Sequence, residues 1–210
     1  MARYGMKTEN RLGVQIPELR KLAKETGKNH QLALELWRTG IAEARILAGM
    51  VDVPEKVTEQ QMDNWVKDID SWDIGDQVCM NLFEKTPIAW KKIEEWSQRP
   101  EEFVKRTAFG LLACLAWHSK NAEDRQFTAL FPVIASGAMD ERKPILKAVS
   151  WALRNIGKRN ILLNKAAIEL ATEIRQTNTK PARWVASDVI RELESQPVQS
   201  RLLKQHTKKT

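Results

Sequence analysis

Helix-start signals recur along nearly the whole chain, and they constrain its fold more than any other feature. Most of the predicted helices begin with a capping residue that is followed by proline or by an acidic first turn. For example, "TEQQMDNWVKDI" opens with a capping box from Thr58 to Gln61. Runs of β-branched residues are short, and no hairpin dipeptide separates two alternating stretches. The pattern predicts an all-α protein of about eleven helices joined by short turns.

Four of these helices resemble one another, which indicates an internal repeat. Each places a basic residue or a tryptophan beside a stripe of small and aliphatic residues, near Arg45, Arg106, Trp151 and Trp184. Their spacing of roughly 30 to 45 residues is typical of HEAT-like repeats, whose stacks curve and expose a concave surface. We therefore predict a curved α-solenoid of HEAT-like helical repeats that forms a single domain over residues 1–196.

The C-terminal residues 197–210 differ from the rest in pattern. No helical periodicity follows Pro197, and the segment carries four basic residues without an acid. This composition predicts a flexible basic tail that serves as an electrostatic arm, with an inert solvated end as the alternative.

Charge and cysteine content narrow the functional class. The formal net charge is +7, and residues 101–210 carry the excess because the first hundred residues are nearly balanced. This distribution suits a polyanionic partner. Cys79 and Cys114 lie in apolar helical patterns and are expected to be buried thiols rather than metal ligands. With no signal-peptide core or membrane-length apolar run, we expect a cytoplasmic, nucleoid-associated protein.

The stretch "DSWDIGDQ" gathers three aspartates beside a tryptophan in this basic chain. Trp72 and Asp76 are four residues apart, so they share one face of a helix. One interpretation is an ordinary helix start, in which Ser71 caps the helix and the acids favour its N-terminus. The other is a functional site, and the stretch alone does not decide between them.

Four stretches together carry a resemblance to a known family. "GVQIPELRKLAKE", "SWDIGD", "VKRTAF" and "LKAVSWALRNIGKRN" occur in this order on a helical chain. Over about residues 11–195 the chain resembles the AlkD-like DNA alkylation repair family of HEAT-like repeat DNA glycosylases. The resemblance implies that Trp72, Asp76, Arg106 and Trp151 form an active cleft. The chain departs from the family pattern at Gly75, where a bulkier residue is usual.

The reaction implied by this resemblance is hydrolysis of the N-glycosidic bond to a cationic N3- or N7-alkylated purine in duplex DNA. Asp76 would stabilise an oxocarbenium-like sugar, and the faces of Trp72 and Trp151 would attract its positive charge. Arg106 would hold a neighbouring phosphate. We expect a monomer that needs no cofactor or metal and binds no membrane. Further basic residues expected to contact the DNA are Arg45, Lys105, Lys147, Arg154, Lys158, Arg159 and Arg183.

Two alternatives stay open from sequence. The first is a non-catalytic HEAT-like module that binds DNA or a protein partner, a role that helical repeats often have. Asp76 separates the two, because a protein that only binds anionic DNA gains nothing from a carboxylate on its binding face. The second is a purely structural helix start at Asp73 and Asp76.

Overall fold

The computed structural model describes residues 9–207, except for the side chain of His206. Within this range the chain is all-helical and contains no strand, so the all-α prediction is confirmed. Short 3-10 turns at Pro54–Lys56 and Phe83–Lys85 separate some of the helices. The α-helices are α1 (Ile16–Thr26), α2 (His30–Arg38), α3 (Ala42–Val51), α4 (Glu59–Asp68), α5 (Trp72–Asn81), α6 (Ala89–Ser97), α7 (Glu102–His118), α8 (Asp124–Thr128), α9 (Phe131–Gly137), α10 (Lys143–Gly157), α11 (Ile161–Gln176), α12 (Lys180–Leu193) and α13 (Gln196–Thr207).

Side-chain caps and prolines begin these helices where the sequence signals place them. Asn29, Thr58, Asn160 and Thr179 each accept a hydrogen bond from a backbone N–H in the first turn of the helix that follows. Proline occupies the first or second position of α1, α9, α10 and α12, where its missing N–H costs nothing. The local signals therefore account for most of the helix starts.

The described residues hold two more helices than expected, and proline explains one of them. The segment "AEDRQFTALFPVIA" was expected to be one helix, but it divides into α8 and α9. Pro132 lies at the second position of α9. Because its ring would clash with the carbonyl group of Thr128, a continuous helix is not possible through this point.

The chain divides into two compact units, and the division falls between Thr107 and Ala108, within α7. In the first unit α3 packs against α1, α2 and α5. In the second unit α10 packs against α9, α11 and α12, and α11 also packs against α12. Contacts between every second helix, α3 with α5 and α10 with α12, are the arrangement expected of stacked two-helix repeats.

The C-terminal segment is a helix, so the prediction of a flexible tail is wrong for residues 197–207. Helix α13 contacts α11 and α12. Its Val198 and Leu202 side chains are buried, and the Gln199 amide donates to the carbonyl group of Leu193 at 2.6 Å. Val198 and Leu202 lie one helical turn apart, so they form the apolar face with which this short helix packs on the domain. The basic residues around them made this face hard to detect in the sequence. The last three residues lie outside the described part of the chain.

Candidate functional site

Helix α5 carries the aspartate cluster, and it begins at Trp72. Ser71 occupies the N-cap position with an extended backbone, but its hydroxyl group does not cap the helix. The hydroxyl group instead donates to Asp73 Oδ1 at 2.5 Å. The expected Ser71 cap is therefore wrong, because the nearby carboxylate is a stronger acceptor and engages the hydroxyl group. Trp72 and Asp76 remain one turn apart on this helix.

The structure brings Asp76 and Arg106 together as a two-point ion pair. Arg106 Nη1 donates to Asp76 Oδ1 at 2.7 Å, and Nη2 donates to Oδ2 at 3.1 Å. The side chains are only 7% and 17% exposed, respectively. A paired guanidinium and carboxylate in this parallel arrangement have a fixed relative orientation. The guanidinium that was expected at a DNA phosphate therefore faces the carboxylate of α5.

Gly75 explains how α7 comes close enough to α5 for this pair. A Cβ atom at Gly75 would lie 3.2 Å from Thr107 Oγ1 and 3.6 Å from Arg106 Nη1. The first distance is shorter than ordinary van der Waals contact, so a larger residue would push Thr107 away. The departure from the family pattern at this position thus allows a tight approach beside the site.

A second arginine, which the sequence analysis missed, holds the start of α5. Arg11 Nη1 donates to Asp73 Oδ2 at 2.7 Å, and Nη2 donates to Asp73 Oδ1 at 2.8 Å and to Ser71 Oγ at 3.1 Å. Burial would raise the pKa of Asp73, but the hydrogen bonds from Arg11 and Ser71 and the charge of Arg11 outweigh it and lower that pKa. The chain segment just before α1 is therefore attached to the first turn of α5.

The segment around Arg11 is anchored by a second carboxylate as well. The backbone N–H groups of Leu12 and Gly13 each donate to Glu43 on α3 at 2.9 Å. Glu43 is buried, so these bonds satisfy a charge that would otherwise be costly to bury. No sequence motif links Arg11 to Asp73 across sixty residues, which is why pattern analysis did not find this contact.

The two expected tryptophans have different settings. Trp72 begins α5, one helical turn before Asp76, and is 36% exposed. Trp151 lies on α10 in the second unit, where it is half-buried and lines a groove. In contrast, Trp37 and Trp65 stack in the core at 4.0 Å between ring centroids, as expected for structural tryptophans.

Most of the seven expected DNA-contacting cations have hydrogen bonds or ion pairs within the protein. Arg45 donates to the backbone carbonyl group of Asp68 at 2.8 Å. Arg154 and Lys158 both pair with Glu192, and Arg159 donates to three backbone carbonyl groups. Arg183 on α12 is exposed and donates to the side-chain carbonyl group of Asn178 at 3.3 Å. Lys147 is exposed on α10, and Lys105 is half-buried on α7.

Neither a metal centre nor a membrane span is found in the part of the chain that the structure describes. Among residues 9–207 no group of three or more histidine, cysteine, aspartate or glutamate side chains is arranged to hold a metal ion. No described helix has both the length and the apolar character needed to cross a bilayer. The side chains described above at α5 are a carboxylate, an arginine and an aromatic ring.

Comparisons with known proteins agree with this architecture. The chain matches the family model described as "DNA alkylation repair enzyme" over residues 1–203. One similar solved structure, with a TM-score of 0.69 and 21% identity, covers 79% of this chain and 71% of that chain. It is described as a new family of proteins related to the HEAT-like repeat DNA glycosylases with affinity for branched DNA structures. A designed armadillo repeat protein in complex with a (KR)4 peptide has a TM-score of 0.43 and 13% identity, over 89% of this chain and 79% of that chain. The curated proteins contain no match.

Proposed function

Since the chain belongs to the DNA alkylation repair enzyme family and has its HEAT-like repeat fold, we propose that it excises cationic N3- or N7-alkylated purines from duplex DNA. One observation carries the proposal. The carboxylate of Asp76 is held in a fixed orientation by Arg106, one helical turn from the partly exposed indole of Trp72. An oriented carboxylate and an aromatic face both stabilise the positive charge that a sugar gains when a charged base departs.

The charge of the lesion determines which groups the reaction needs. When the bond between C1′ and the base nitrogen breaks, its electron pair goes to the cationic base, which departs as a neutral molecule. No general acid is then required. Positive charge develops on the sugar, where Asp76 stabilises it. A water molecule that Asp76 orients adds to C1′ and gives its proton to the Asp76 carboxylate, which releases it to solvent.

Arg106 has a positioning role in this proposal. Two hydrogen bonds to the guanidinium occupy one lone pair on each carboxylate oxygen and leave the others for water or the sugar. Because Arg106 is almost fully buried, it orients Asp76 rather than reaching a phosphate. The phosphate contacts are then made by exposed cations, of which Lys147 and Arg183 are the strongest candidates.

Trp72 supplies an aromatic face beside the carboxylate. Trp72 is exposed enough to pack on deoxyribose, and its ring would attract the positive charge that the sugar gains in the transition state. The corresponding role of Trp151 rests on the family resemblance. The family resemblance also implies that the lesion need not be drawn into a deep pocket.

The same ion pair also favours a second candidate function, DNA binding without excision. Arg106 offsets part of the negative charge on Asp76, and that charge is what the excision chemistry uses. The solved structure at 21% identity is described by its affinity for branched DNA. In this alternative the Asp76–Arg106 pair only joins α5 to α7, and the exposed cations bind the phosphates.

An excision assay with enzyme in excess separates the two functions. The substrate is a duplex with one N7-methylguanine or N3-methyladenine, and released base is measured over time against spontaneous depurination. We expect release well above the spontaneous rate and none from the unmodified duplex. Tight binding of the methylated duplex with release at the spontaneous rate would contradict the glycosylase proposal and support the binding function.

A further inference from the structure

A groove in the second unit has its own chemistry, and Trp151 is among its lining residues. It has a volume of about 1010 Å³ and is lined by the end of α7 with the turn after it, by α10, by the start of α11 and by α13. This volume lies at the upper end of the range for small-molecule pockets. The groove is therefore large enough for more than one nucleotide-sized group.

Positive charge dominates the lining of the groove. Five lining side chains are cationic, and one, Asp124, is acidic. Arg154 and Lys158 are paired with Glu192, which reduces their contribution. Lys120 and Arg201 are exposed, and the hydrogen bonds that the structure gives them run to the neutral backbone carbonyl groups of Trp117 and Lys158. Their charges face solvent at the groove and suit an anionic ligand.

An exposed tryptophan lies among these cations. Trp117, near the end of α7, is 53% exposed, and its ring stacks with that of His118 at 4.9 Å between centroids. Tryptophan is highly buried on average, so half-exposure beside a basic groove is unusual for a residue with only a packing role. A flat ring flanked by cations is the arrangement that binds an unpaired nucleotide, since the base stacks and the phosphates bind the cations.

The turn that carries Lys120 is held in place by Arg159. Its guanidinium donates to the carbonyl groups of Ala116, Ser119 and Ala122 at 2.8 to 3.1 Å. It also lies over the ring of Phe127 at 4.3 Å. Since these contacts fix the backbone on both sides of Trp117 and Lys120, the groove is organised before any ligand binds.

We propose that this groove binds an unpaired segment of DNA, with one base stacked on Trp117 and the adjoining phosphates at Lys120 and Arg201. The inference rests on the proposed function in one respect only, which is that the nucleic acid bound by the protein is DNA. A single strand is favoured over a duplex because stacking on a side chain requires a base whose face is not covered by its neighbours. An acidic protein would use the cations but would have little use for the exposed indole.

The test compares the binding of single-stranded and duplex DNA by tryptophan variants. The probe is a fluorescently labelled oligothymidylate of about ten nucleotides, with the corresponding duplex as a second probe, and affinity is measured by anisotropy. We expect Trp117→Ala to weaken binding of the single strand about 5- to 100-fold and to leave duplex binding nearly unchanged. Trp117→Phe should retain part of the affinity, because it keeps an aromatic face.

A matched control removes another exposed tryptophan. Trp184 on α12 is 44% exposed and does not line the groove, so Trp184→Ala should leave single-strand affinity unchanged. Unchanged single-strand affinity in Trp117→Ala, or an equal loss in Trp184→Ala, would overturn the proposal. An equal loss of duplex affinity in a folded Trp117→Ala variant would also overturn it, because the groove would then hold paired DNA.

These outcomes are independent of the excision proposal. Oligothymidylate contains no purine, so its binding does not depend on glycosylase activity. Trp117→Ala should release an alkylated base from duplex DNA at the wild-type rate. If wild-type protein releases no base but its single-strand affinity depends on Trp117, the excision proposal fails and the groove proposal stands. If the reverse is found, the groove proposal alone fails.

Discussion

At the residue scale, the pairing of Asp76 with Arg106 constrains what either side chain can do alone. Both side chains are largely removed from water, and each satisfies the charge of the other. Removal of one partner from such a pair leaves the remaining charge desolvated, whereas removal of both leaves an apolar site. Stability and the proposed catalytic role of Asp76 are therefore coupled, and variants at this position have to be designed with both in mind.

We predict that Arg106→Met lowers the free energy of unfolding by about 3 kcal/mol, because it leaves Asp76 without its cation. The double variant Arg106→Met/Asp76→Leu should recover most of this loss. Urea denaturation of the two variants and the wild-type protein measures the difference. An equal loss in the single and double variants would mean that the packing of Arg106, not the charge of Asp76, accounts for the effect.

At the element scale, the contact of Arg11 with Asp73 shows how α5 is held in place. The segment before α1 connects the buried Glu43 of α3 to the first turn of α5, which carries Trp72. The position of the candidate site thus depends on residues that precede the first helix. This contact also makes the stability of the fold depend on pH, because the pKa of Asp73 is lowered in the folded state.

We predict that Arg11→Met destabilises the protein by about 2 kcal/mol at pH 7. The pKa of Asp73 is lower in the folded state than in the unfolded state, so the contact stabilises the protein above the unfolded value and is lost as pH falls through the folded one. The difference from wild type should therefore shrink below about pH 4. Urea denaturation at pH 7, 5 and 3.5 measures it.

The variant Asp73→Asn provides the control, because it removes the titrating group. In the Asp73→Asn background, the further change Arg11→Met should alter the stability by an amount that is independent of pH over the same range. A constant difference between Arg11→Met and wild type from pH 7 to 3.5 would show that Asp73 does not titrate against Arg11, contrary to this account.

Helix α13 gives a second prediction at the element scale. Leu202 is 2% exposed, whereas its neighbour Leu203 is 61% exposed. We predict that Leu202→Ala lowers the free energy of unfolding by about 2–4 kcal/mol, while Leu203→Ala changes it by less than about 0.5 kcal/mol. Urea denaturation measures both. Two equally small effects would indicate that residues 197–207 do not pack on the domain in solution.

At the scale of the whole molecule, local patterns predicted the helices far better than they predicted side-chain partners. Capping residues and prolines predict where a helix begins from a few neighbouring residues. The four-residue spacing of Trp72 and Asp76 likewise predicts that they share one face of a helix. The partner of Asp76 is thirty residues away and depends on the close approach that Gly75 allows. Such contacts follow from packing between repeats, which no local periodicity encodes.

Misjudged exposure accounts for most of the other differences. The basic residues of the C-terminal segment indicated an exposed tail, but two apolar side chains of α13 are buried. Arg106 was expected to face DNA, but it is also buried. Trp117 lies near the end of an apolar helix, and the sequence analysis did not single it out. Its position directly before a histidine and a basic turn was the one available signal that the ring lies at the surface.

The distribution of charge over the molecule predicts how DNA affinity responds to salt. Each phosphate contact that is lost should reduce the slope of log affinity against log salt by about 0.9. Lys147 is exposed on α10, and we predict such a reduction for Lys147→Ala, measured by anisotropy with duplex DNA. Lys165→Ala, which removes an exposed lysine on α11 that is not among the expected contacts, is the control. Equal slopes for Lys147→Ala and wild type would remove Lys147 from the interface.

The most direct test of the account is the single-turnover rate of Asp76→Asn on a duplex that carries one cationic alkylpurine. The substitution keeps the shape of the side chain and removes its charge, so we predict a rate lower by roughly 10²–10³, with duplex affinity equal or higher. The control Asp63→Asn makes the same change in a carboxylate paired with Lys92 and should retain the wild-type rate. An Asp76→Asn variant that is folded and releases base at the wild-type rate would contradict the assignment of Asp76 as the catalytic residue.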